Sequence, residues 1–307
     1  MRQKIAIVGG GVTAGIAAHL LATLGETTLI HPTAAPASGM PEIVPRRPFF
    51  SVFGKGKESE WITEIAPKLT EVSWRCGKNV RSIRLVSTDD FLVYDKSRLA
   101  TLLLNSAPIS RRIINEISEI AELKGFDRIF DCRGARAVKK DPAYQYRDVR
   151  AAHTACRYLV AHTSSENYGD IMRFWTEIMP SGKQRTFFQV PVSTDRVAMG
   201  CSCSPDDLLS DAELRSAMEQ EVTMPLSEAV LFSGTVVPQP STMQCSIKHV
   251  TPLGDASTLP CPLTEYGMLK ALSQIVVLSG GKPLPDSVLQ RSLSENVDPH
   301  LPQELFS

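Results

Sequence analysis

Apolar and polar positions alternate along the N-terminal segment in a pattern typical of one supersecondary unit. Residues 5–8 form a short β-branched apolar run that stops at a glycine turn. Apolar residues then recur over residues 16–24 at spacings of one, three and four, which predicts an amphipathic helix. A second apolar run begins at Thr28. A strand, a turn, a helix and a strand in this order predict a βαβ unit.

The elements of the remaining chain follow from the same periodicities and from turn-forming residues. Residues 33–57 are rich in proline, glycine and arginine, which predicts a long loop. Residues 80–86 and 91–94 predict a hairpin, and a second hairpin is expected between a helix at 96–105 and a buried strand at 128–131. Further strands are predicted at 147–162, 171–179, 186–190, 196–203, 230–237 and 247–252, and helices at 206–221 and 263–278.

The charge balance excludes several classes of partner. Lys plus Arg and Asp plus Glu each number 33 among the 307 residues, so no net field attracts nucleic acid or an acidic membrane surface. The longest apolar runs are too short to span a bilayer. The first residues lead directly into the strand pattern, and we therefore expect no signal peptide and a cytoplasmic protein.

Cysteine usage agrees with that expectation and gives no metal site. The chain has 7 cysteines in a dispersed arrangement, which is typical of reduced thiols. Cys201 and Cys203 form a Cys-x-Cys pair, but a zinc site needs further ligands, and the sequence offers no second pair. Because residues two apart in a strand point to the same face, we interpret the pair as neighbours within a strand.

The glycine turn after the first strand is the first candidate site. Its residues are Gly9-x-Gly11-x-x-Ala14, followed by Gly15. Gly9 allows a sharp turn, Gly11 lets the backbone approach a pyrophosphate, and a small residue at position 14 lets the helix pack on its strand. The phosphates would lie at the positive N-terminus of the helix. We therefore predict a dinucleotide site at these four residues.

The end of the second strand departs from the usual dinucleotide site. A carboxylate normally stands there and binds the adenosine ribose. This position holds His31. The imidazole could hydrogen-bond a ribose hydroxyl, or His31 could simply begin the following loop, and the sequence leaves both interpretations open.

A second motif lies far along the chain, at Leu253-Gly254-Asp255-Ala256, with Pro262 and Gly267 behind it. An aspartate after a glycine at a strand end can accept hydrogen bonds from the ribityl hydroxyls of a flavin. The N-terminus of the following helix can face the pyrimidine edge and stabilise negative charge there. The sequence therefore predicts that Gly254 and Asp255 belong to a flavin site.

Two further motifs lie between these. Asp95-x-x-Arg98 opens a predicted helix, and Asp131-Cys132-Arg133-Gly134-Ala135-Arg136 follows a buried strand. Considered alone, Arg98 is typical of a solvated helix residue and Asp131 of a cap at a strand end.

In this order the four motifs resemble those of the flavin-dependent aromatic hydroxylases and, more closely, the flavin-dependent halogenases. The resemblance extends from about residue 5 to about residue 281. It implies a glutathione-reductase-like fold with FAD as cofactor. It also implies that Gly9, Gly11, Ala14 and Arg98 lie along the FAD pyrophosphate, Asp255 near the ribityl chain, and Pro262 and Gly267 beside the isoalloxazine.

The chain departs from the halogenases at two places. Where those enzymes have a Trp-x-Trp-x-Ile-Pro element, this chain has Thr186-x-Phe188-x-Val190-Pro191. The catalytic lysine of the halogenases has only Lys55 and Lys57 as weak counterparts, so the catalytic residues are not identified. Both departures favour hydroxylation over halogenation.

The resemblance implies a hydroxylase-like monooxygenase that uses reduced FAD and O2 on an aromatic, peptide-bound or carrier-bound substrate. No second Gly-x-Gly-x-x-Gly follows a strand, so we expect a separate flavin reductase. Two alternatives stay open: an FAD-dependent dehydrogenase or oxidase, and an accessory flavoprotein that helps to mature a partner protein. His31 and a chain shorter than typical members keep the accessory role open.

The predicted fold class is α/β, a Rossmann-like FAD-binding domain with a parallel sheet, interleaved with a mostly antiparallel β-sheet substrate domain. We expect the FAD-binding domain at 1–75, 95–140 and 245–285, the substrate domain at 76–94 and 141–244, and a short tail at 286–307.

Overall fold

The structure is a computed structural model of the chain. It describes residues 2–32, 41–53, 71–76, 79–84, 91–147, 154–162, 171–179, 182–193, 196–221, 226, 229–236, 242–257 and 267–285. The strands are β1 Lys4–Val8, β2 Glu26–His31, β3 Pro41–Pro45, β4 Glu71–Cys76, β5 Asn79–Arg84, β6 Phe91–Asp95, β7 Arg111–Ile114, β8 Arg128–Asp131, β9 Tyr144–Arg147, β10 Thr154–His162, β11 Ile171–Ile178, β12 Gln184–Ser193, β13 Arg196–Cys203, β14 Val230–Val236, β15 Thr242–Cys245 and β16 Val250–Pro252. The helices are α1 Val12–Leu20, α2 Arg46–Phe50, α3 Lys96–Ser106, α4 Ala135–Val138, α5 Asp211–Glu221 and α6 Gly267–Leu278.

A parallel sheet forms the first layer, in the order β16-β8-β1-β2-β7. Its centre is the predicted βαβ unit: β1 and β2 pair in parallel, and α1 connects them. The apolar run of β1 is buried on both faces, as a strand covered on both sides requires. α1, α3 and α6 contribute to one core with β1 and β2. The Rossmann-like part of the predicted fold is therefore confirmed.

A second sheet of seven strands has the order β14-β10-β13-β12-β11-β4-β5. Every pairing in it is antiparallel except that of β11 with β4. One face packs on α5, which begins with the reciprocal hydrogen bonds of a Ser210 and Glu213 capping box. Cys201 and Cys203 lie on that same face, so the prediction that they are strand neighbours is confirmed.

The opposite face of the seven-stranded sheet turns towards the start of α3. Alternation along β13 places Arg196 on the face opposite to Val197. The Arg196 guanidinium pairs with the Asp95 carboxylate at 3.0 Å. Asp95 is buried and also caps α3 by accepting a hydrogen bond from the Ser97 N–H at 2.8 Å. This contact fixes the second sheet beside the first helix turn of α3.

Three predictions, two about hairpins and one about a long loop, were wrong. Residues 80–86 and 91–94 do not form a hairpin, because β5 pairs with β4 and β6 pairs with β3. The segment predicted as one long loop contains β3 and α2, where Phe49 is fully buried. β7 belongs to no hairpin either, since it pairs in parallel with β2. β6 and β7 pair with strands that are distant in the sequence, whereas β5 pairs with the strand that directly precedes it.

Among the described helices, none has the length and apolarity to cross a membrane. The predicted domain boundaries stay a prediction.

Candidate functional site

The carboxyl ends of the parallel strands bring the predicted motifs to one edge of the sheet. Because β1, β2, β8 and β16 are parallel, the segments that follow them leave the sheet at this edge. Ligands of open α/β sheets bind in the crevice outside this edge. Gly9, His31, Asp131 and Gly254 all lie here, in or directly after those four strands.

Gly9 makes the sharp turn that the sequence predicts. Its φ is +140°, a region that side chains rarely adopt, and an added Cβ would collide with the Cys132 carbonyl oxygen. The Gly9 N–H donates to the Ile30 carbonyl at 2.9 Å, and the Cys132 N–H donates to the Val8 carbonyl at 2.7 Å. The turn is thereby held tightly between the ends of β2 and β8.

Gly11 differs from Gly9 because the protein itself does not require a glycine there. It is the N-cap of α1 with φ −94°, and a Cβ built on it would meet no atom within 4 Å. Neither strain nor packing in the described residues accounts for its missing side chain. Space beside a helix N-terminus is what the close approach of a phosphate needs. The first turn of α1 contains no acidic residue that would repel such an anion.

Ala14 and Gly15 lie on the buried side of α1. Ala14 is fully buried, and a Cβ on Gly15 would lie 2.5 Å from the Leu103 Cβ of α3. One turn later, the His19 Nε2 lies 3.0 Å from the Leu103 carbonyl oxygen and 3.2 Å from the Ser106 hydroxyl. Gly15 of α1 packs against Leu103 of α3, and the later residue His19 reaches the later residue Ser106. The two helices therefore run in the same direction. Their N-termini therefore point to the same end of the crevice. Gly15 has a packing role, and its contact with a cofactor stays a prediction.

Gly254 meets the first turn of α1, although about 240 residues separate the two motifs in the sequence. Gly254 has φ +58°, and a Cβ on it would lie 2.6 Å from the Thr13 hydroxyl. The Leu253 N–H donates to the Asp131 carbonyl at 2.9 Å, which anchors the turn to β8. Asp255 is exposed at the surface of this turn. The structure thus places an accessible carboxylate next to the predicted pyrophosphate site.

The Gln274 side chain of α6 and the Ser257 side chain hold the backbone of the same turn by hydrogen bonds. The Gln274 side chain accepts from the Gly254 N–H at 3.2 Å and donates to the Ser257 hydroxyl at 3.2 Å. Ser257 in turn donates to the Gly254 carbonyl at 2.8 Å. These bonds fix the backbone that carries Asp255, so that its carboxylate is presented from a rigid support.

A group of charged and phenolic side chains links β3, β6 and the first residue of α3. The Glu42 carboxylate accepts a hydrogen bond from the Tyr94 hydroxyl at 2.8 Å and lies 3.5 Å from the Lys96 ammonium. Loss of water raises the pKa of Asp255, Lys96 opposes the rise, and Glu42 adds to it. Burial, together with Glu42, raises the pKa of Tyr94, which stays a neutral donor.

Three other predicted site residues lie at the ends of described elements. Arg98 is exposed in the first turn of α3. The His31 Nδ1 lies 2.9 Å from the Pro32 carbonyl oxygen, and Pro32 packs beside Gly10 of the glycine turn. Gly267 is the first residue of α6. Pro262, Lys55 and Lys57 lie outside the described residues. Contact of any of these residues with a cofactor stays a prediction.

The Asp131 motif forms a buried ion-pair network. The Arg133 guanidinium lies 2.8 Å from Asp131 and 2.6 Å from Asp141, with both carboxylates fully buried. The Tyr144 hydroxyl donates to Asp131 at 2.6 Å. Asp131 also accepts the Arg133 N–H at 3.0 Å, which is the strand-end cap expected from the motif alone. These contacts give the motif a structural role behind the crevice.

Sequence reasoning missed Glu42, Tyr94 and Lys96. Glu42 lies in β3, within the segment predicted as a loop, and Lys96 is one of the two unspecified positions of the Asp95-x-x-Arg98 motif. The adjacent apolar residues Ile43 and Val44 could have indicated a short strand. No local signal could have shown that the strand partner of Glu42 is Tyr94.

Comparisons with known proteins place the fold. No protein-family model matches the chain, and no curated protein sequence matches it. Among solved structures, a tryptophan 6-halogenase from Streptomyces toxytricini is 14% identical over 94% of this chain and 75% of its own, with a TM-score of 0.69. The peptidyl tryptophan dihydroxylase QhpG, essential for tryptophylquinone cofactor biogenesis, is 14% identical over 91% of this chain, with a TM-score of 0.62. CtdE in complex with FAD is 12% identical over 91% of this chain and 84% of its own, with a TM-score of 0.63.

The chain shares its fold with these three proteins. It spans 66% of the length of the dihydroxylase. The predicted resemblance to hydroxylases and halogenases is therefore confirmed at the level of the fold.

The residues at the crevice also fit FAD. The open space at Gly11 and the N-terminus of α1, whose first turn has no acidic residue, suit a pyrophosphate. The exposed Asp255 carboxylate suits an acceptor for hydroxyl groups.

Proposed function

We propose that the chain is an FAD-dependent monooxygenase of the hydroxylase kind. The observation that carries this proposal is the unfilled space at Gly11, directly beside the turn that presents Asp255. A dinucleotide lying there would place its pyrophosphate at the N-terminus of α1 and its ribityl hydroxyls near the Asp255 carboxylate. Of the proteins that share the fold, CtdE has been solved in complex with FAD.

FAD, once reduced by two electrons from a separate flavin reductase, would supply the electrons for reducing O2, so that one oxygen atom enters the substrate and the other leaves as water. The chain itself would position the cofactor and keep water from the reacting centre. The seven-stranded sheet is suited to the second task. Its face towards α3 carries the buried aromatic side chains of Tyr158, Phe174 and Phe188. Gly200 lets Tyr158 and Phe188 pack closely, since a Cβ there would collide with Tyr158.

The same aromatic face supports an aromatic substrate, because rings pack favourably against one another in offset or edge-to-face arrangements. One protein with this fold is a dihydroxylase of peptidyl tryptophan. We therefore propose an aromatic group carried by a peptide or another large carrier as the substrate. Turnover of a tryptophan- or tyrosine-containing peptide with no turnover of the free amino acid would support this choice, and the reverse pattern would favour a small aromatic compound.

Replacing Asp255 with alanine should weaken FAD binding. Hydrogen bonds to a charged acceptor contribute about 1.5–3 kcal/mol each, so the Kd for FAD should rise roughly 10- to 150-fold. Titration of the apoprotein with FAD, followed by flavin fluorescence, measures the change. Asp206→Ala, which removes an exposed carboxylate before α5, serves as a control and should leave the Kd unchanged. Wild-type affinity in the Asp255 variant would mean that the ribityl site is misplaced.

Reduction of the bound flavin by nicotinamide cofactors should be slow. No second Gly-x-Gly-x-x-Gly follows a strand in the sequence, so the chain offers no separate nicotinamide site of that type. We expect turnover when a flavin reductase is added and little bleaching of the flavin with NADH or NADPH alone. Rapid bleaching by NADPH without a reductase would contradict this prediction.

The same assay separates the proposed function from its alternatives. An oxidase would release hydrogen peroxide in proportion to the substrate consumed, without any added reductant. An accessory flavoprotein would bind FAD and a partner protein but turn over no substrate. A monooxygenase needs both reductant and O2 and yields an oxygenated product.

A further inference from the structure

Two rows of side chains lie next to each other across strands β10, β13, β12 and β11 of the seven-stranded sheet. The members of the first row, paired directly from strand to strand, are Tyr158, Gly200, Phe188 and Phe174. The second row lies two residues away along each strand, and its members are Cys156, Ser202, Thr186 and Thr176. A row of aromatic rings is therefore bordered by a row of small polar side chains.

Alternation along the strands shows which face of the sheet carries the second row. Cys201 and Cys203, on either side of Ser202, belong to the core under α5. Ser202 therefore points to the opposite face, where the aromatic rings lie. The same alternation holds on β12 and β11, where Phe187 and Trp175 belong to the α5 core. Both rows thus share the face that turns towards α3.

The Ser202 hydroxyl is buried without a hydrogen-bond partner. Ser202 is 4% exposed. Its Oγ makes no hydrogen bond within the part of the chain that the structure describes. A buried hydroxyl that has lost its water and gained no partner destabilises the protein. A ligand that brings its own hydrogen-bonding group to this face would remove that cost.

The second row favours a neutral ligand group. Its side chains are one thiol and three hydroxyls. Burial raises the pKa of the Cys156 thiol to about 12, so the thiol stays uncharged. A charged group placed here would lose its water without gaining a counter-ion from the row. The group that fits is a neutral donor such as a phenol O–H or an indole N–H.

The position of the rows connects them with the proposed cofactor crevice. Arg196 begins β13 and pairs with Asp95 at the start of α3. The two rows cross β13 at Gly200 and Ser202, four and six residues later, which is about 13 and 20 Å along the strand. The same strand therefore leads from the start of α3 to the rings and then to the unpaired hydroxyl.

We propose that Ser202 determines substrate specificity by accepting a hydrogen bond from the aromatic ring of the substrate, which carries an O–H or N–H donor. The inference rests on the proposed function, since that function supplies the aromatic substrate. The rings of Tyr158, Phe188 and Phe174 would pack against the substrate ring, and Ser202 would select rings with a donor over rings without one. A site built to pair with a polar group discriminates against the analogue that lacks it.

The test uses three capped pentapeptides with tyrosine, tryptophan or phenylalanine at the centre and glycine elsewhere. Calorimetric titration of the FAD-loaded protein gives the Kd of each peptide. We expect the tyrosine or the tryptophan peptide to bind most tightly, which shows whether the ring is a phenol or an indole. The Kd of that peptide should rise about tenfold in Ser202→Ala, the equivalent of one neutral hydrogen bond. The Kd of the phenylalanine peptide should stay the same.

A second measurement separates this role from a structural one. Without peptide, Ser202→Ala should raise the melting temperature by about 2–4 °C, because it removes an unpaired buried hydroxyl. Ser273→Ala is the matched control: Ser273 is also buried, but its hydroxyl accepts a hydrogen bond from the Leu284 N–H at 3.0 Å. This control should not raise the melting temperature and should leave all three Kd values unchanged.

Three results would overturn the inference. They are a Ser202→Ala protein with wild-type Kd values for every peptide, a wild type that binds none of the peptides, and a lower melting temperature in Ser202→Ala. The visible spectrum of each sample reports its bound FAD separately. A wild-type protein that binds no FAD would overturn the proposed function as well, which the other outcomes leave standing.

Discussion

Replacing Gly11 with valine is expected to abolish FAD binding while the protein stays folded. A branched side chain at this position would fill the space beside the N-terminus of α1 that no atom of the described residues occupies. Loss of the close phosphate approach should raise the Kd for FAD by more than about a hundredfold, equivalent to ~2.7 kcal/mol. FAD titration of the apoprotein measures the affinity, and circular dichroism checks the fold.

The alanine variant of the same residue is the matched control. Alanine and valine are both poor N-cap residues, so each lowers helix stability by a similar amount, about 1 kcal/mol or less. They differ in bulk, and Gly11→Ala should therefore weaken FAD binding much less than Gly11→Val does. Gly15→Val should show the opposite behaviour, with a lower melting temperature, because its side chain would collide with Leu103. A folded Gly11→Val protein with wild-type affinity would rule out a pyrophosphate at this turn.

Replacing Arg133 with methionine is expected to destabilise the fold strongly. The substitution leaves the buried carboxylates of Asp131 and Asp141 without their cation. Breaking a buried ion pair in this way costs about 3–5 kcal/mol. Urea denaturation should show that decrease in the free energy of unfolding. Arg136→Met, which removes an exposed arginine on α4, should change it by less than about 0.5 kcal/mol. An Arg133 variant as stable as the wild type would mean that the network contributes nothing to stability.

Acid should weaken the same network. Burial favours a raised pKa at Asp141, but hydrogen bonds from Arg133 and from the backbone N–H groups of Ile120 and Ala143 outweigh it and hold the pKa below its ordinary value. The stabilisation from this group is complete above the ordinary pKa of an aspartate and is lost as the pH falls through the lowered value. The wild type should therefore lose more stability in acid than Arg133→Met, which has already lost the main partner of Asp141.

Local signals in the sequence were sufficient to predict the glycine turn and the elements on either side of it. The βαβ unit and its glycine turn depend on neighbouring residues, so β1, α1 and β2 could be predicted directly. The position of Gly254 beside Thr13 could be expected only from the order of the motifs, because nothing near Gly254 in the sequence specifies a helix about 240 residues earlier.

Long-range pairing accounts for the parts that could not be predicted. β3 and β6 pair across about 50 residues, and the alternation within each strand says nothing about which distant strand will be its partner. Lys96 and Glu42 become neighbours only through that pairing. Sequence reasoning therefore predicted the first glycine turn from local signals and Asp255 from the order of the motifs. It missed Glu42 and Lys96, which no local signal connects.

The central claim is that this crevice binds FAD, and the visible spectrum of the purified protein tests it most directly. Protein incubated with FAD and freed of excess ligand should show the absorption bands of an oxidised flavin. Heat should release FAD in a one-to-one ratio to the chain, and the Gly11→Val variant should yield none. Wild-type protein that remains colourless after incubation with FAD, while folded, would contradict the account.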